Sequence, residues 1–340
     1  MSDIAKGILG GGWSLVAGWI LPTAINILVF GFFVLPSLRS IPVANELVQS
    51  SASDRSLAWL GASVVAGLTL NALQEPLYRI FEGNLFWPFS ITKRRTRRMA
   101  DKKKAFSDRL YVLEHRKNLG RFTSIEKERF DAISVNPKLI RKVNRDKRRS
   151  YTQCNVLRER LRRFPVDDKL IVPTRLGNAI RRLEEYGHDR YLIDSPVLWH
   201  ELTAAVPEQL RRQINVARSS VDFFVCLLCG NLLTAVLAVL SLSSSTARNV
   251  VLLVTAAVMV MLAVLFYHLA VATTDDWGRA TRALVDMGRT SLAESVGLKI
   301  PGELLKERKM WENYSRFVRK EYRDGAAELD EFRVRLRVRH

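Results

Sequence analysis

Cys226 and Cys229 are a Cys-x-x-Cys pair, the spacing used in thiol–disulfide chemistry. Redox pairs of this kind sit at an exposed helix start, where the thiol pKa is lowered. Here the pair lies inside an apolar run from Phe223 to Leu242. A thiol in such surroundings acts as a small apolar side chain. Cys154 stands alone, and the three cysteines supply neither a disulfide framework nor a zinc set. The five histidines, His115, His188, His200, His268 and His340, show no HExxH or paired spacing. Gly10-Gly11-Gly12 lacks the preceding strand and the Lys-Ser/Thr of a phosphate loop, so it reads as a flexible entry to a helix. Asp167-Asp168 and Asp275-Asp276 are adjacent pairs, and adjacent side chains on a helix point apart. The expectation is therefore no catalytic set, no metal and no cofactor.

Polar residues inside apolar runs are the next candidates: Asn26, Asn71, Gln74, Glu75, Asn231 and His268. Lipid offers them no hydrogen bonds, so they must find partners within the protein. The functional reading makes Asn26, Asn71, Glu75, Asn231 and His268 an intramembrane polar path. The structural reading, preferred for the amides, is bonding between helices. Glu75 has Arg79 one turn later, and Asp222 has Arg218 one turn earlier, both spaced for ion pairs.

The runs themselves define the elements. From Ile8 to Leu38 no side chain is charged; Leu57–Leu73, Phe223–Leu242 and Val250–Thr274 come after it. About 20 apolar residues cross the hydrocarbon, so four transmembrane helices are expected, the second being the shortest and most polar. A cleaved signal peptide fits the first run poorly, since its core is too long and only Lys6 is basic near the start. Lys and Arg are sparse in the expected outer links, with Arg39 and Arg55 in one and Arg248 in the other. They are dense at the opposite ends, so both termini and residues 93–220 are expected in the cytoplasm. The aromatic cluster Tyr78, Phe81, Phe86, Trp87 and Phe89 suits either a segment along the inner interface, bent at Pro76 and Pro88, or a loop packed on the cytoplasmic domain.

Charge is as unevenly divided as hydropathy. The 340 residues carry a net charge of +19 although 48% are hydrophobic. Residues 93–163 alone hold 25 Lys and Arg against 8 Asp and Glu, an excess of 17. Lys93, Arg94, Arg95, Arg97, Arg98, Lys102, Lys103 and Lys104 directly follow the second run, placing them for contact with anionic lipid or phosphate. Nucleic acid is a less favoured partner, because no RRM, KH, zinc-finger or OB pattern accompanies the charge.

The same block reads as helices with thin apolar faces. Met99, Phe106, Leu110 and Leu113 make one stripe, and Gly120 is a natural stop after it. Thr123 to Glu126 fits a capping box for a helix containing Phe130 and Ile133, and Pro137 interrupts that helix before a further basic one. Leu176, Ile180 and Leu183 align on a later helix, and Ser195-Pro196 predicts another helix start. A continuous helix is predicted from Pro207 to Ser241, and a C-terminal one from about Pro301 to Val338 with Leu304, Leu305, Trp311, Phe317, Leu329 and Phe332 on its apolar face.

From Arg175 to Asp222 the chain carries RLGN, the Glu185-Tyr186 pair, RYLID, Trp199, the Pro207-led helix and Asp222 just before a span. This tract resembles a family of multi-pass membrane proteins of bacteria, particularly actinobacteria, to which no function is assigned. The resemblance implies a bacterial inner-membrane protein and no reaction. An enzyme reading would need Arg175, Asn178, Glu184, Asp189, Arg190 and Asp194 to gather in one pocket.

The expected fold is all-α, with four transmembrane helices and a helical cytoplasmic domain between the second and third. The expected segments are 1–92, 93–163, 164–220, 221–274 and 275–340. The leading functional expectation is a non-enzymatic membrane protein whose cytoplasmic domain binds a partner and controls an oligomeric transmembrane bundle, a gated pore or permeabilising effector being its concrete form. The alternative is a membrane-tethered binder of nucleic acid or another anionic ligand. The partners expected are a bilayer with an anionic inner leaflet, further copies of the chain and a cytoplasmic protein.

Overall fold

Long stretches without proline, rich in Leu, Ala, Val, Lys and Arg, leave helix as the only regular element. The computed structural model describes residues 12–38, 40–115, 123–146, 150–244, 248–321 and 324–333. Among them the helices in chain order are α1 (Leu21–Phe33), α2 (Pro42–Gln49), α3 (Ala52–Ala72), α4 (Gln74–Glu82), α5 (Phe89–His115), α6 (Ser124–Ser134) and α7 (Pro137–Asp146). After these come α8 (Ser150–Leu161), α9 (Arg175–Tyr191), α10 (Trp199–Ala205), α11 (Glu208–Leu240), α12 (Asn249–Ser295) and α13 (Leu304–Arg319). A π-helical turn, Val16–Ile20, leads into α1. The protein is all-α; an isolated bridge pairs Leu298 with Arg333.

Two compact units form. One draws its described residues from 1–77, 199–300 and 330–340, the other from 78–198 and 301–329. In the first unit, three helical stretches are long and apolar enough to cross a membrane: Gly12–Ser37, Glu208–Ser243 and Asn249–Ser295. A fourth crossing requires α3 and α4 to count as one broken span, bent by 61°. The bend falls at Leu73 and not at the two prolines. Pro76 has no N–H to give the carbonyl of Ala72, and its ring would clash there, so α3 ends before it and α4 starts afresh.

α11 pairs with α12, and α10 meets the later part of α12, where Gly288 faces Leu202 and Val206. On α12 the buried residues Leu252, Ala256, Met259, Ala263, Ala270, Thr274, Thr281, Val285 and Leu292 recur at threes, fours and sevens. Leu210, Ile214, Val221, Val225, Leu228, Ala235 and Ala238 do the same on α11. This is the 3.5-residue period of a coiled coil, with small side chains allowing close approach. At 1.5 Å per residue α12 is about 70 Å long, more than twice the hydrocarbon thickness of about 30 Å. The expected fourth span, Val250–Thr274, is thus only the first part of a helix that runs unbroken through Asp275-Asp276 to Ser295.

In the second unit α5 packs with α6, α7 and α8 around Val112, Leu113, Leu139, Val143, Cys154 and Leu157, flanked by Phe106, Leu110, Phe130 and Ile133. Both hydrogen bonds of the Thr123–Glu126 capping box are present, and α7 begins at Pro137. Gly120 lies outside the described residues.

Two sequence expectations are corrected. Ser195-Pro196 does not begin a helix; a turn intervenes and α10 starts at Trp199. The reason is the way α9 ends. Leu192 takes a left-handed conformation (φ 59°), the N–H of Ile193 returns to the carbonyl of Gly187, and the turn drives Ile193 and Leu198 fully into the core. The C-terminal helix is also shorter than predicted. α13 stops at Arg319, where Lys320 is extended, and 3₁₀ turns run from Asp324 to Phe332. Leu304 and Leu305 at its start are exposed, whereas Met310 and Trp311 are fully buried.

Candidate functional site: a cationic helix face and a polar helix junction

α5 presents the expected cations. Lys93, Arg94, Arg95, Arg97, Arg98 and Lys104 are exposed, and Lys102 and Lys103 are half-buried. Lys103 alone of the eight makes an ion pair among the described residues, with Asp168 at 2.5 Å, and it also donates to the carbonyl of Val166. Arg95 lies over the Trp87 ring at 5.9 Å, and the Trp87 indole N–H is held by the carbonyl of Ile80. Phe86, just before α5, and Phe89, its first residue, are 85% and 81% exposed. That exposure leaves two aromatic rings and a row of cations on one short stretch.

One ring within α5 gathers charge from elsewhere. The Lys102 Nζ stands 5.8 Å and the Arg160 guanidinium 5.6 Å from the centre of Phe106. Phe106 meets Phe164 edge-on at 6.4 Å. Burial pushes the Lys102 ammonium below its usual pKa, and the nearby charges of Arg175 and Arg160 push it the same way. Arg175 occupies the first turn of α9, which Thr174 caps by accepting from the N–H of Gly177. Sequence reasoning placed Lys102 in the cationic run and Arg175 in the set of the enzyme reading, but did not join the two and missed Arg160. Only the packing of α5, α8 and α9 brings them near.

The tract that carries the family resemblance is spent on its own architecture. Asn178, fully buried, accepts from the N–H of Val172 and donates to the carbonyls of Val172 and Thr174. Glu185 accepts from the backbone N–H groups of Val166 and Asp167 and pairs with Arg182. Arg182 also reaches Asp189, while Arg319 pairs with Asp194. Arg308 donates to the carbonyls of Asp189 and Arg190, satisfying the C-terminal end of α9. Of the residues of the enzyme reading, Asn178 bonds backbone groups, Glu184 pairs with Arg181, Asp189 with Arg182 and Arg190, and Asp194 with Arg319. Among the described residues no three His, Cys, Asp or Glu side chains stand where they could share a metal ion.

Arg181 bridges two carboxylates, Glu82 at 3.1 Å and Glu184 at 2.9 Å. Desolvation raises the pKa of Glu82 above its usual 4.5, outweighing Arg181. Desolvation likewise raises Glu184, with the Glu82 charge adding to it and Arg181 opposing. The pair binds protons more readily than ordinary carboxylates do.

The polar junction in the first unit forms where the π-helical turn meets α3 and α11. Thr23 Oγ1 donates to the Trp19 carbonyl at 2.6 Å. Cys226 Sγ lies 3.2 Å from Thr23 Oγ1 and 3.6 Å from the same carbonyl. Gly18 admits Asp222, Gly67 admits the backbone of Ile20, and Gly230 admits Asn26. Each is a close approach that a side chain would obstruct.

Of the five residues of the expected polar path, Asn26 and Asn231 are buried. Asn26 donates to the carbonyl of Pro22, whereas Asn231 Nδ2 has no hydrogen-bond partner among the described residues. Asn71 is half-buried; Glu75 and His268 are exposed, His268 beside the Tyr267 ring. Gln74, near Glu75, accepts from Arg218 at 3.3 Å.

Comparison with protein families, curated proteins and solved structures gives no match for this chain.

Proposed function

We propose that the protein is a multi-pass membrane protein with both termini and the charged helical region in the cytoplasm, in a bacterial inner membrane as the resemblance implies. It is non-enzymatic. The cationic region engages an anionic partner, and α11 and α12 carry the bound state into the transmembrane bundle. A homo-oligomer gives the outward-facing His268 a place to find partners, since a polar side chain facing lipid is costly.

The observation that carries this reading is the uninterrupted seam of α11 and α12. Its small apolar contacts continue from the apolar stretch into the charged stretch with no hinge between them. A twist or slide imposed at one end is therefore felt at the other. In the second unit, seven of the eight cations on α5 have no carboxylate of their own among the described residues, which supports an anionic partner.

Spin labels at Val216 and Met287, both exposed and beyond the apolar stretch, report one end of the hairpin. Labels at Leu240 and Val250, also exposed, report the other. In nanodiscs, replacing zwitterionic lipid by anionic lipid is expected to change both distances. A change at the first pair with none at the second overturns the coupling. Ion flux from liposomes tests the pore form of the same reading, and a bilayer that stays tight in anionic and zwitterionic lipid alike removes that form.

A further inference from the structure

We propose that Lys102 and Arg160, gathered about the Phe106 ring from α5 and α8, form with the nearby charge of Arg175 at the start of α9 a binding site for a phosphate monoester. The group is borne by a lipid headgroup or by a small soluble molecule. This deepens the anionic-partner reading above and rests on it.

The argument begins with a conflict. Like charges brought together cost free energy, and folding must hold Lys102 and Arg160 against one aromatic ring to do so. Cation–π attraction to Phe106 offsets a part of this. The ring is itself fixed by Phe164, four residues after Arg160, so the arrangement is built into the packing of α5 on α8.

Arg175 adds a third positive charge from another element, and its charge also lowers the Lys102 pKa. No carboxylate is among the groups that act on Lys102. The adjacent Lys103 shows the contrast: it is half-buried on the same helix, and Asp168 neutralises it.

The donor chemistry selects the ligand. Two guanidinium forks and one ammonium match a group with several negatively charged oxygens, the forks bonding in pairs and the ammonium acting as a point charge. A phosphate monoester carries a charge of about −1.5 to −2 near neutrality, more than a carboxylate or a phosphodiester. Arg175 and Arg160 are exposed and Lys102 is half-buried, so the ligand enters from solvent and reaches the amine last.

The depressed Lys102 amine provides the assay. The full-length protein in zwitterionic nanodiscs is pulsed with an amine-acylating reagent at about pH 8, where a lysine of lowered pKa reacts fastest. Mass spectrometry reads Lys102 against Lys104 two residues along. Inorganic phosphate, phosphatidic acid in the disc, and an oligonucleotide without terminal phosphates are compared.

Protection of Lys102 relative to Lys104 by phosphate or by phosphatidic acid is the expected result. Protection only in the phosphatidic acid discs assigns the lipid headgroup, and protection in zwitterionic discs by phosphate assigns a soluble ligand. Arg160→Gln and Arg175→Gln, both surface changes, are each expected to weaken protection by about tenfold, the scale of one charge-assisted hydrogen bond. Arg94→Gln, outside the cluster, is expected to leave it unchanged.

Equal slowing of Lys102 and Lys104 overturns the site, as does protection by the oligonucleotide at least as strong as that by phosphate. The spin-label distances keep the two readings apart. Protected Lys102 with an unmoved far-end pair retains this site and removes the coupling, and the reverse outcome removes this site alone.

Discussion

Replacing Asn178 by leucine tests whether the conspicuous RLGN tract is architecture. Leucine has nearly the same volume and keeps the buried position filled, so the loss is that of the polar contacts. Asn178 serves the N–H and the carbonyl of Val172 and the carbonyl of Thr174. The Thr174 carbonyl also accepts the N–H of residue 178, so it keeps a partner. The two groups of Val172 lose theirs. Each buried backbone group left unmade costs about 1–3 kcal/mol, and because Val172 is half-buried the lower part of that range applies. The expected loss is about 2–4 kcal/mol in local stability, which accelerates amide exchange by about 30- to 700-fold. Hydrogen–deuterium exchange on peptides covering 164–178, in the full-length protein, reads this directly. Asn178→Asp keeps the acceptor for Val172 but sets a carboxylate beside two carbonyl oxygens, so its loss should be larger at about pH 8 than at about pH 5. Exchange in Asn178→Leu within about threefold of the unaltered protein would refute the latch, because that corresponds to less than one hydrogen bond. The same substitution loosens Arg175 at the head of α9, so Lys102 protection by phosphate should fall with it.

Other contacts make equally specific demands. Glu82 and Glu184 have folded pKa values above 4.5, so they bind protons more tightly folded than unfolded. Their contribution is fully present below pH 4.5 and is lost as pH rises through the folded values. Glu82→Gln should flatten that part of the pH dependence of α9 exchange and Arg181→Met should steepen it; the opposite ordering would show that the shared guanidinium does not govern the pair. In the first unit, a side chain at Gly67 would meet the Ile20 Cα at 2.9 Å, while Gly61 on the same helix faces open space. Gly67→Val should destabilise the bundle by about 1–3 kcal/mol in thermal unfolding, and Gly61→Val should not; equal behaviour refutes the close packing of α3 on the π-helical turn. Asn231→Leu removes a buried donor without a partner and should be neutral or stabilising by about 1 kcal/mol. A marked loss would mean that the amide is bonded in the membrane.

How much the sequence revealed depended on the range of each interaction. The capping box at Thr123 and Glu126 and the start of α7 at Pro137 were legible because partners lie within a turn. Apolar length located three spans for the same reason, and the weak second run corresponds to a pair of helices broken at Leu73. Ser195-Pro196 misled because the start signal competed with the burial of Ile193 and Leu198, and burial decided the outcome. Asn178 looked like chemistry because polar residues stand out in a short tract, yet its partners are backbone groups of Val172 and Thr174. Arg160 carried no signal, since nothing local distinguishes one arginine of a basic block from another, and Arg175 stood out only as part of the RLGN tract.

The heptad seam of α11 and α12 was hidden for a different reason. In an apolar span every position reads as hydrophobic, so the side of the helix that meets its neighbour is not marked by contrast with polar residues. What marks it is size: Ala235, Ala238, Ala256, Ala263, Ala270, Thr274 and Gly278 are small and buried, while Leu240, Val254, Met261 and Leu265 are large and exposed. Beyond the apolar stretch the contrast returns, and the buried face of α12 continues through Thr281, Val285, Gly288 and Leu292 among exposed Asp276, Arg279 and Met287, with Gly288 now against Leu202 and Val206. One register persisting across both kinds of sequence ties the charged ends of α11 and α12 to their apolar ends. Uncoupling them requires breaking the register itself. A three-residue insertion after Gly278 rotates every later contact of α12, that of Gly288 with Leu202 and Val206 included, and should free the spin-label pair at one end from the other, while leaving the apolar half of the hairpin paired.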